Sequence, residues 1–274
     1  MNFSSKILKK IIQKREKKST KGDFGKILII GGSQDYVGAP DLAANAALSI
    51  LRTGSDWVTI AAPEKVAWAI NSISPDIITK KINCKYFTNQ NILEIVEFSN
   101  RFDTILIGPG LGDKEETLSF CNKVISQIKH PKIIDADAIK SFQISNVKNS
   151  IITANKRELK ILINNSNLNL SKIEDIQAYI GNNVIISKGS TDIIVSGKKI
   201  AYNKTGNPGM TVAGTGDVLA GIIAGFTSQK KSLFDSSYAG TYLCGTIGDQ
   251  LFKEFGNGFL ASDFIDKIPD YLKV

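Results

Sequence analysis

The feature that most constrains the fold is the recurrence of short apolar runs between segments with helical periodicity. The isoleucine, leucine and valine residues of each run are continuous rather than alternating, which indicates strands buried on both faces. Such strands belong to parallel sheets covered by helices, so we expect a three-layer α/β/α sandwich with a mostly parallel sheet. The predicted strands are Lys26–Gly31, Trp57–Ala61, Thr104–Gly108, Lys132–Asp135, Ser150–Thr153, Val184–Ser187, Asp192–Val195 and Ile200–Asn203.

The segments between the strands carry the helices of this fold. The tail from Leu233 onward predicts further helices that cover one face of the sheet. The sequence contains no internal repeat, low-complexity linker or break in composition, so we expect one domain over residues 21–274, preceded by a basic arm over residues 1–20. The predicted helices before the tail are Ala39–Thr53, Glu64–Ser72, Asn91–Ser99, Lys114–Lys129, Lys156–Ile163 and Lys172–Ile180.

The arm holds almost the whole net charge of the chain. The formal net charge is +8, and residues 1–21 contribute +7 of it through eight basic side chains and one acidic one. Because this charge is confined to the arm instead of spread over a face, we expect no nucleic-acid partner. A short stripe of isoleucine and leucine in the arm predicts a helix packed on the body or on a neighbouring subunit, which favours a homo-oligomer.

Composition excludes several classes of protein. No apolar run reaches the ~18–20 residues that a membrane helix needs, and the N-terminus lacks the apolar core of a signal peptide, so we expect a cytoplasmic protein without a membrane partner. Cys84, Cys121 and Cys244 have neither metal-site spacing nor an even number for disulfides. His130 is the only histidine and precedes Pro131 in a predicted loop, which excludes mechanisms that need a histidine base.

Glycine-rich or acidic turns follow four of the predicted strands directly. Ligands of open α/β sheets collect where loops leave the carboxyl ends of strands, and glycine lets the backbone approach a ligand closely. A tight turn would explain each segment singly, but their number favours a shared binding site. The four turns are Gly31–Pro40, Gly108–Gly112, Asp135–Asp137 and Lys188–Asp192.

The segment Asn207–Phe226 predicts the chemistry of this site. A flexible Gly-Thr-Gly loop ends at Asp217 and continues into an apolar helix. Backbone N–H groups at a helix start point towards one spot, where they bind a phosphate or a developing anion. Asp217 beside that spot is placed to take a proton from a substrate hydroxyl. The alternative is that Asp217 only caps the helix, because aspartate is a preferred residue there.

Two common nucleotide motifs are missing. Gly108–Gly112 reads G-x-G-x-G but has Asp113 where the dinucleotide fingerprint requires its later glycine, and no G-x-x-x-x-G-K-[ST] occurs in the chain. Phosphate would therefore be held by the helix start and by the neighbouring loops.

Several segments taken together resemble a known family. They are Lys21–Gly25, Gly31–Ala39, Gly108–Gly112, Asp135–Ala138, Asn207–Met210 and Gly214–Asp217. From about Lys21 to the C-terminus the chain resembles the ADP- or ATP-dependent NAD(P)H-hydrate dehydratases, a branch of the ribokinase-like superfamily. The combination of the Tyr36–Ala39 loop with Asn-Pro-Gly-Met is the most specific part of this resemblance.

The resemblance implies a hydro-lyase that returns (S)-NADHX or (S)-NADPHX, the hydrated cofactors, to NADH or NADPH. The reaction would consume ADP or ATP, release AMP or ADP with phosphate, and require Mg²⁺ with the polyphosphate. Asp217 would activate the ring hydroxyl, and the amides of Gly214, Thr215 and Gly216 would stabilise the transferring phosphoryl group. The family's binding positions correspond here to Ala39, Gly112, Asn155 and Asp217 for the hydrated dinucleotide, and to Lys188, Gly189, Ser190, Thr191, Asp192 and Gly216 for the adenine nucleotide.

One segment departs from the family pattern. The family usually reads Thr-Pro-His-Pro-Gly-Glu where this chain reads Thr153-Ala-Asn-Lys-Arg-Glu158. Asn155 thus replaces a histidine that touches the substrate, and an amide still donates and accepts hydrogen bonds. The resulting Asn-x-x-Glu resembles the magnesium and phosphate motif of vitamin and sugar kinases, which makes Glu158 a candidate metal ligand. A ribokinase-like kinase of a vitamin precursor or sugar is therefore the alternative enzyme.

Three further expectations concern the protein as a whole. A catalytically idle nucleotide-binding module is the alternative from another class, although retention of Asp217 argues against it. Many relatives carry an additional epimerase domain, for which we expect no room in 274 residues, so the chain should act on one epimer only. Relatives in this family are commonly homotetramers, which implies the same assembly here.

Overall fold

The sheet forms the middle layer of the protein. The structure is a computed structural model that describes residues 7, 8, 10–12, 17, 18, 20, 24–51 and 57–272. The strand order is β3-β2-β1-β4-β5-β6-β7-β8-β9. The strands are β1 Lys26–Ile30, β2 Trp57–Pro63, β3 Ile78–Ile82, β4 Thr104–Ile107, β5 Lys132–Asp135, β6 Ser150–Ala154, β7 Val184–Ser187, β8 Asp192–Ser196 and β9 Ile200–Asn203.

The first seven strands are parallel, and β8 and β9 extend the sheet in antiparallel pairs. Strand order reverses between β1 and β4, so their loops open a crevice at the carboxyl edge. There the Gly32 amide donates to the Pro109 carbonyl at 2.8 Å, which joins the two glycine-rich loops. The turn between β7 and β8 is short because antiparallel neighbours need no helical crossover.

Helices cover both faces of the sheet. Side chains of β1 alternate between the two cores: Ile27 and Ile29 face one cluster, and Leu28 and Ile30 face the other. The predicted three-layer sandwich with a mostly parallel sheet is therefore confirmed. The α-helices are α1 Gly38–Leu51, α2 Glu64–Ile73, α3 Ile92–Ser99, α4 Glu115–Gln127, α5 Lys156–Asn165, α6 Thr215–Ser228, α7 Leu233–Phe255 and α8 Ala261–Lys267.

Two elements differ from the sequence-based prediction. The segment Ile78–Ile82 is a strand that was not predicted, because Ile-Thr-Lys-Lys-Ile at the sheet edge is only half-buried and lacks the continuous apolar signal of the inner strands. The predicted helix Lys172–Ile180 is a short 3₁₀ segment over Ile173–Ala178. Its Asp175 side chain accepts the Lys172 amide at 3.1 Å, which closes a tight turn instead of starting an α-helix.

The apolar side chains of the arm that the structure describes belong to the core. Ile7, Leu8 and Ile11 are buried in the same cluster as α1 and α7. Residues 1–6, 9, 13–16, 19, 21–23, 52–56, 273 and 274 lie outside the described residues, and so does the predicted end of the first helix at Thr53. Among the described helices, none has the length and apolarity that crossing a bilayer requires.

Helices α1 and α6 pack backbone to backbone at Gly221. A Cβ atom added there would overlap the Ala43 carbonyl oxygen and lie 3.0 Å from the Ala43 Cα. We expect Gly221→Ala to lower the free energy of unfolding by about 1–3 kcal/mol, because an overpacked contact must be relieved by helix displacement. Urea denaturation measures this change. Gly38→Ala, where an added Cβ would meet nothing within 4 Å, is the control; equal stability of both variants would contradict the contact.

Candidate active site

Helix α6 begins with backbone amides that make no hydrogen bond within the described residues and can bind an anion. Gly214 precedes the helix in a left-handed conformation with φ of 94°, and the Val218 amide makes the first bond of the helix, to the Gly214 carbonyl at 3.0 Å. The Thr215 hydroxyl donates to the Met210 and Val212 carbonyls at 2.9 and 3.0 Å. These bonds hold the loop, so Thr215 offers its amide and not its hydroxyl to a ligand.

Asp217 is not a helix cap. It is the third residue of α6, and within the described residues its carboxylate accepts no hydrogen bond, whereas Gly214 occupies the cap position. Burial, and next the negative charge of Asp135, raise the pKa of Asp217 to about 7. A carboxyl group with this pKa can exchange a proton near neutral pH, as a general base must.

A buried ion pair lies beside Asp217. The Lys188 Nζ donates to Asp135 Oδ1 at 3.0 Å, and the Thr153 hydroxyl donates to the same oxygen. A methyl group added at Gly216 would lie 3.4 Å from the Lys188 Nζ. Burial lowers the pKa of Lys188, but Asp135 and Glu158 outweigh it and leave that pKa raised. The ammonium group is therefore charged, and it sits between the strand ends and the helix start.

Asn155 and Glu158 cap helix α5 reciprocally. The Asn155 Oδ1 accepts the amides of Arg157 and Glu158 at 2.9 and 3.0 Å, and the Glu158 Oε2 accepts the Asn155 amide at 2.8 Å. Burial raises the pKa of Glu158, opposed by the charge of Lys188. The side-chain oxygen of Asn155 is thus occupied, whereas its side-chain nitrogen, Nδ2, is available to a ligand.

The Lys188–Asp192 loop is held from within. Asp192 accepts the Gly189 amide at 3.1 Å through one oxygen and the Asn203 side chain at 3.1 Å through the other. Ser190 is exposed and Thr191 is half-buried, and neither side chain makes a hydrogen bond within the described residues. Lys188 thus joins the Asp217 cluster, whereas Ser190 and Thr191 remain open to solvent at the rim.

The substrate positions predicted on the other loops lie around the crevice. The Gly112 amide donates to Asp137 Oδ2 at 3.0 Å, and Lys140 Nζ donates to Asp137 Oδ1 at 2.8 Å. Ala39 belongs to the first turn of α1, and a methyl group added at Gly110 would lie 3.4 Å from its Cβ. The helix that carries Ala39 thereby contacts the loop that carries Gly112.

Two acids that organise the site were not among the predicted site residues. Asp135 ends the predicted strand Lys132–Asp135 and begins the Asp135–Asp137 turn, which the sequence places at the shared binding site without giving Asp135 a role. Asp249 on α7 accepts the Gly206 amide at 3.0 Å and the Asn207 side chain at 3.1 Å, and so anchors the Asn-Pro-Gly-Met segment. Its place within a long helix gives no such signal in the sequence.

The site offers oxygen ligands but no complete metal cage. No three histidine, cysteine, aspartate or glutamate side chains of the described residues form a metal-binding group. Mg²⁺ usually keeps several waters and is held by phosphate oxygens with one or two carboxylates. The Glu158 Oε1 and the Asp217 carboxylate accept no hydrogen bond within the described residues. These oxygen atoms are therefore available as ligands for a magnesium ion that arrives with a polyphosphate.

Solved structures share this architecture. A ribokinase-like superfamily protein from Enterococcus faecalis superposes with a TM-score of 0.84 at 27% identity, covering 98% of this chain and 94% of the other. The ADP/ATP-dependent NAD(P)H-hydrate dehydratase from Bacillus subtilis, co-crystallised with ATP and Mg²⁺, gives 0.78 at 22% identity over 99% and 98%. The ribokinase-like fold expected from the sequence is confirmed.

Sequence relatives agree with the fold. The bifunctional NAD(P)H-hydrate repair enzyme Nnr of Methanothermobacter thermautotrophicus is 36% identical over 95% of this chain, which spans about half (52%) of that relative's length. The ADP-dependent (S)-NAD(P)H-hydrate dehydratase of Nitrosopumilus maritimus is 30% identical over 99% of this chain and 96% of its own length. The family model described as NAD(P)H-hydrate dehydratase matches residues 27–270. The chain therefore belongs to the NAD(P)H-hydrate dehydratase family.

Proposed function

We propose that this protein dehydrates (S)-NADHX and (S)-NADPHX to NADH and NADPH, using ADP or ATP and releasing AMP or ADP with phosphate. The observation that carries the proposal is the Asp217 carboxylate, which accepts no hydrogen bond from the described residues, has a pKa of about 7 and lies beside the amides that open α6. The N. maritimus relative, which this chain covers almost completely, is an ADP-dependent (S)-NAD(P)H-hydrate dehydratase.

The proposed reaction begins with proton transfer to Asp217. The carboxylate takes the proton of the ring hydroxyl, whose oxygen forms a bond to the terminal phosphorus while the bond from phosphorus to the leaving nucleotide breaks. The amides of Gly214, Thr215 and Gly216 stabilise the charge on the transferring group. Phosphate is a better leaving group than hydroxide, so its loss with a neighbouring ring proton restores the double bond of the reduced ring.

Charge balance supports a role for Mg²⁺ in this site. Four acids lie in this site: Asp217 and three neighbours whose negative charges raise its pKa. The neighbours are Asp135, Asp137 and Glu158. Lys188 and Lys140 neutralise part of this charge through their pairs with Asp135 and Asp137. Bound with the polyphosphate, Mg²⁺ would neutralise phosphate charge, and Glu158 would hold it.

The remaining binding roles follow the layout of the crevice. Lys188, Gly189, Ser190, Thr191, Asp192 and Gly216 would contact the adenine nucleotide. Ala39, Gly112 and the Asn155 amide nitrogen would contact the hydrated dinucleotide. Support comes from the position of Lys188 between Asp135 and Gly216, and from the contact between the Ala39 and Gly112 loops.

We also infer the setting of the enzyme. Cys84, Cys121 and Cys244 are free thiols, and the last two are buried, which suits a reducing cytoplasm. Residues 21–274 would form one domain with the arm packed against it, and the assembly would be a homotetramer, which light scattering would measure.

The proposed function is tested with hydrated NADH and each nucleotide. We expect near-ultraviolet absorbance of the reduced ring to return only when ADP or ATP is present, with one phosphate released for each NADH. The (S) epimer alone should be consumed. The alternative kinase is favoured by the Asn155–Glu158 pair, and it would leave a stable phosphorylated alcohol instead. Failure of the absorbance to return with either nucleotide would contradict the dehydratase.

A further inference from the structure

A cavity lies at the opposite edge of the sheet from the candidate active site. Its volume is about 550 Å³, within the range of small-molecule sites. It is lined by residues at the amino ends of β1, β4 and β5 and by the segment that follows α6. The charged residues of the lining are Lys26, Arg101, Asp103, Lys230 and Lys231.

The cations of this cavity have no acidic partner in the part of the chain that the structure describes. Within the described residues, none of Lys26, Arg101, Lys230 and Lys231 forms a salt bridge. The lining contains one acid, Asp103, whose carboxylate already accepts the Lys26 backbone amide at 2.9 Å. Lys26 and Arg101 contact the Trp57 and Phe98 rings instead. The four cations outnumber the one acid, so an anion bound between them would be stabilised.

More positive charge lies beside the cavity. Burial lowers the pKa of Lys231, and the charge of Lys10 lowers it further, so the two ammonium groups are close enough to repel each other. Lys10 itself pairs with Asp235 at 3.1 Å. An anion bound near Lys231 would relieve this repulsion.

The backbone is constrained beside two of these cations, Lys26 and Lys230. Lys230 has a left-handed conformation with φ of 59°, and its amide donates to the Thr227 carbonyl at 3.1 Å, which ends α6 in a tight turn. Gly25, directly before Lys26, packs so closely on Ser228 that no side chain fits between them. Lys26 and Lys230 therefore project from a constrained part of the backbone at the rim of the cavity.

We propose that this cavity binds a small phosphorylated anion at a site separate from the candidate active site. The partial negative charge at the end of α6, about half a unit, accounts for less than one of the four cations. A concave site without an exposed aromatic ring in its lining suits a compact phosphate group better than stacked nucleic-acid bases. Both sites flank α6, a helix of 14 residues or about 21 Å.

Inorganic pyrophosphate is the probe for this proposal. The Lys26 Nζ lies 4.8 Å from the Trp57 ring centroid, so Trp57 fluorescence reports on this cavity when Trp68, the only other tryptophan, is replaced by phenylalanine. We expect a saturable change in fluorescence on titration. Lys230→Glu with Lys231→Glu should weaken binding by about tenfold or more, since two charge-assisted contacts are lost.

Lys172→Glu with Lys198→Glu is the matched control, because it changes the net charge equally at exposed lysines outside the cavity. Its affinity for pyrophosphate should equal that of the parent. A titration that never saturates, or equal weakening by both double variants, would show that the lysines are only a solvated rim. Since fluorescence of Trp57 is the readout, the result does not depend on the dehydratase activity.

Discussion

The substitution Asp217→Asn is expected to lower the rate of dehydration by about 10²–10⁴-fold, the usual contribution of a general base. The substitution keeps the shape of the side chain and removes its ability to take a proton. The amides of Thr215 and Gly216 are unchanged, so the affinity for ADP should be retained. Steady-state rates with hydrated NADH, together with ADP binding by calorimetry, separate the two effects.

Comparing the stability of the parent and of Asp217→Asn at different pH values provides a control for folding. The pKa of Asp217 is raised from 3.8 to about 7 in the folded protein, so the unfolded state loses this proton first and stability falls as pH rises between these values. Above pH 7 Asp217→Asn should therefore be more stable than the parent, with a higher Tm. The parent's activity should rise through about pH 7. An Asp217→Asn protein that keeps full activity would remove Asp217 from the mechanism.

Methionine in place of Lys188 is expected to lower the free energy of unfolding by about 3–5 kcal/mol, because it leaves the buried Asp135 carboxylate without its cation. The side chain of Asp135 is only 3% exposed and that of Lys188 is 19% exposed. Adding Asp135→Asn to Lys188→Met removes the unpaired charge and should restore much of the stability. Urea denaturation at neutral pH measures all three proteins.

An exposed ion pair supplies the comparison for Lys188. Lys267 contacts Glu254 at 2.7 Å, with side chains 26% and 35% exposed. Lys267→Met should cost at most about 1 kcal/mol, since solvent screens such pairs. If Lys188→Met lowers the free energy of unfolding no more than Lys267→Met does, the ion pair with Asp135 does not stabilise this part of the site.

The fold could be predicted from the sequence because the inner strands carry their signal locally. Continuous isoleucine in β1 and β5 marks burial on both faces, and the family resemblance has been confirmed by the match over residues 27–270. Edge strand β3 carries two lysines and was missed, because half-burial leaves no apolar run. The roles of the site residues remain predictions.

The arrangement of the site could be predicted only in part. Motifs identified Asp217 and Lys188, but the sequence did not show that Lys188 forms a salt bridge with Asp135, 53 positions earlier. Nor did it show that Asp249 anchors the Asn-Pro-Gly-Met segment. Such partners meet through strand order and helix packing, and a single sequence gives no local signal for either.

The contact at Gly221 also affects what the crevice can admit. Because α1 and α6 touch through main-chain atoms, their spacing cannot be adjusted by side-chain rotation. Helix α1, which carries Ala39, and helix α6, which carries Asp217, should therefore move together as one rigid unit. If the crevice closes around a bound ligand, the loops on its opposite side must move, among them the hairpin that follows Lys188.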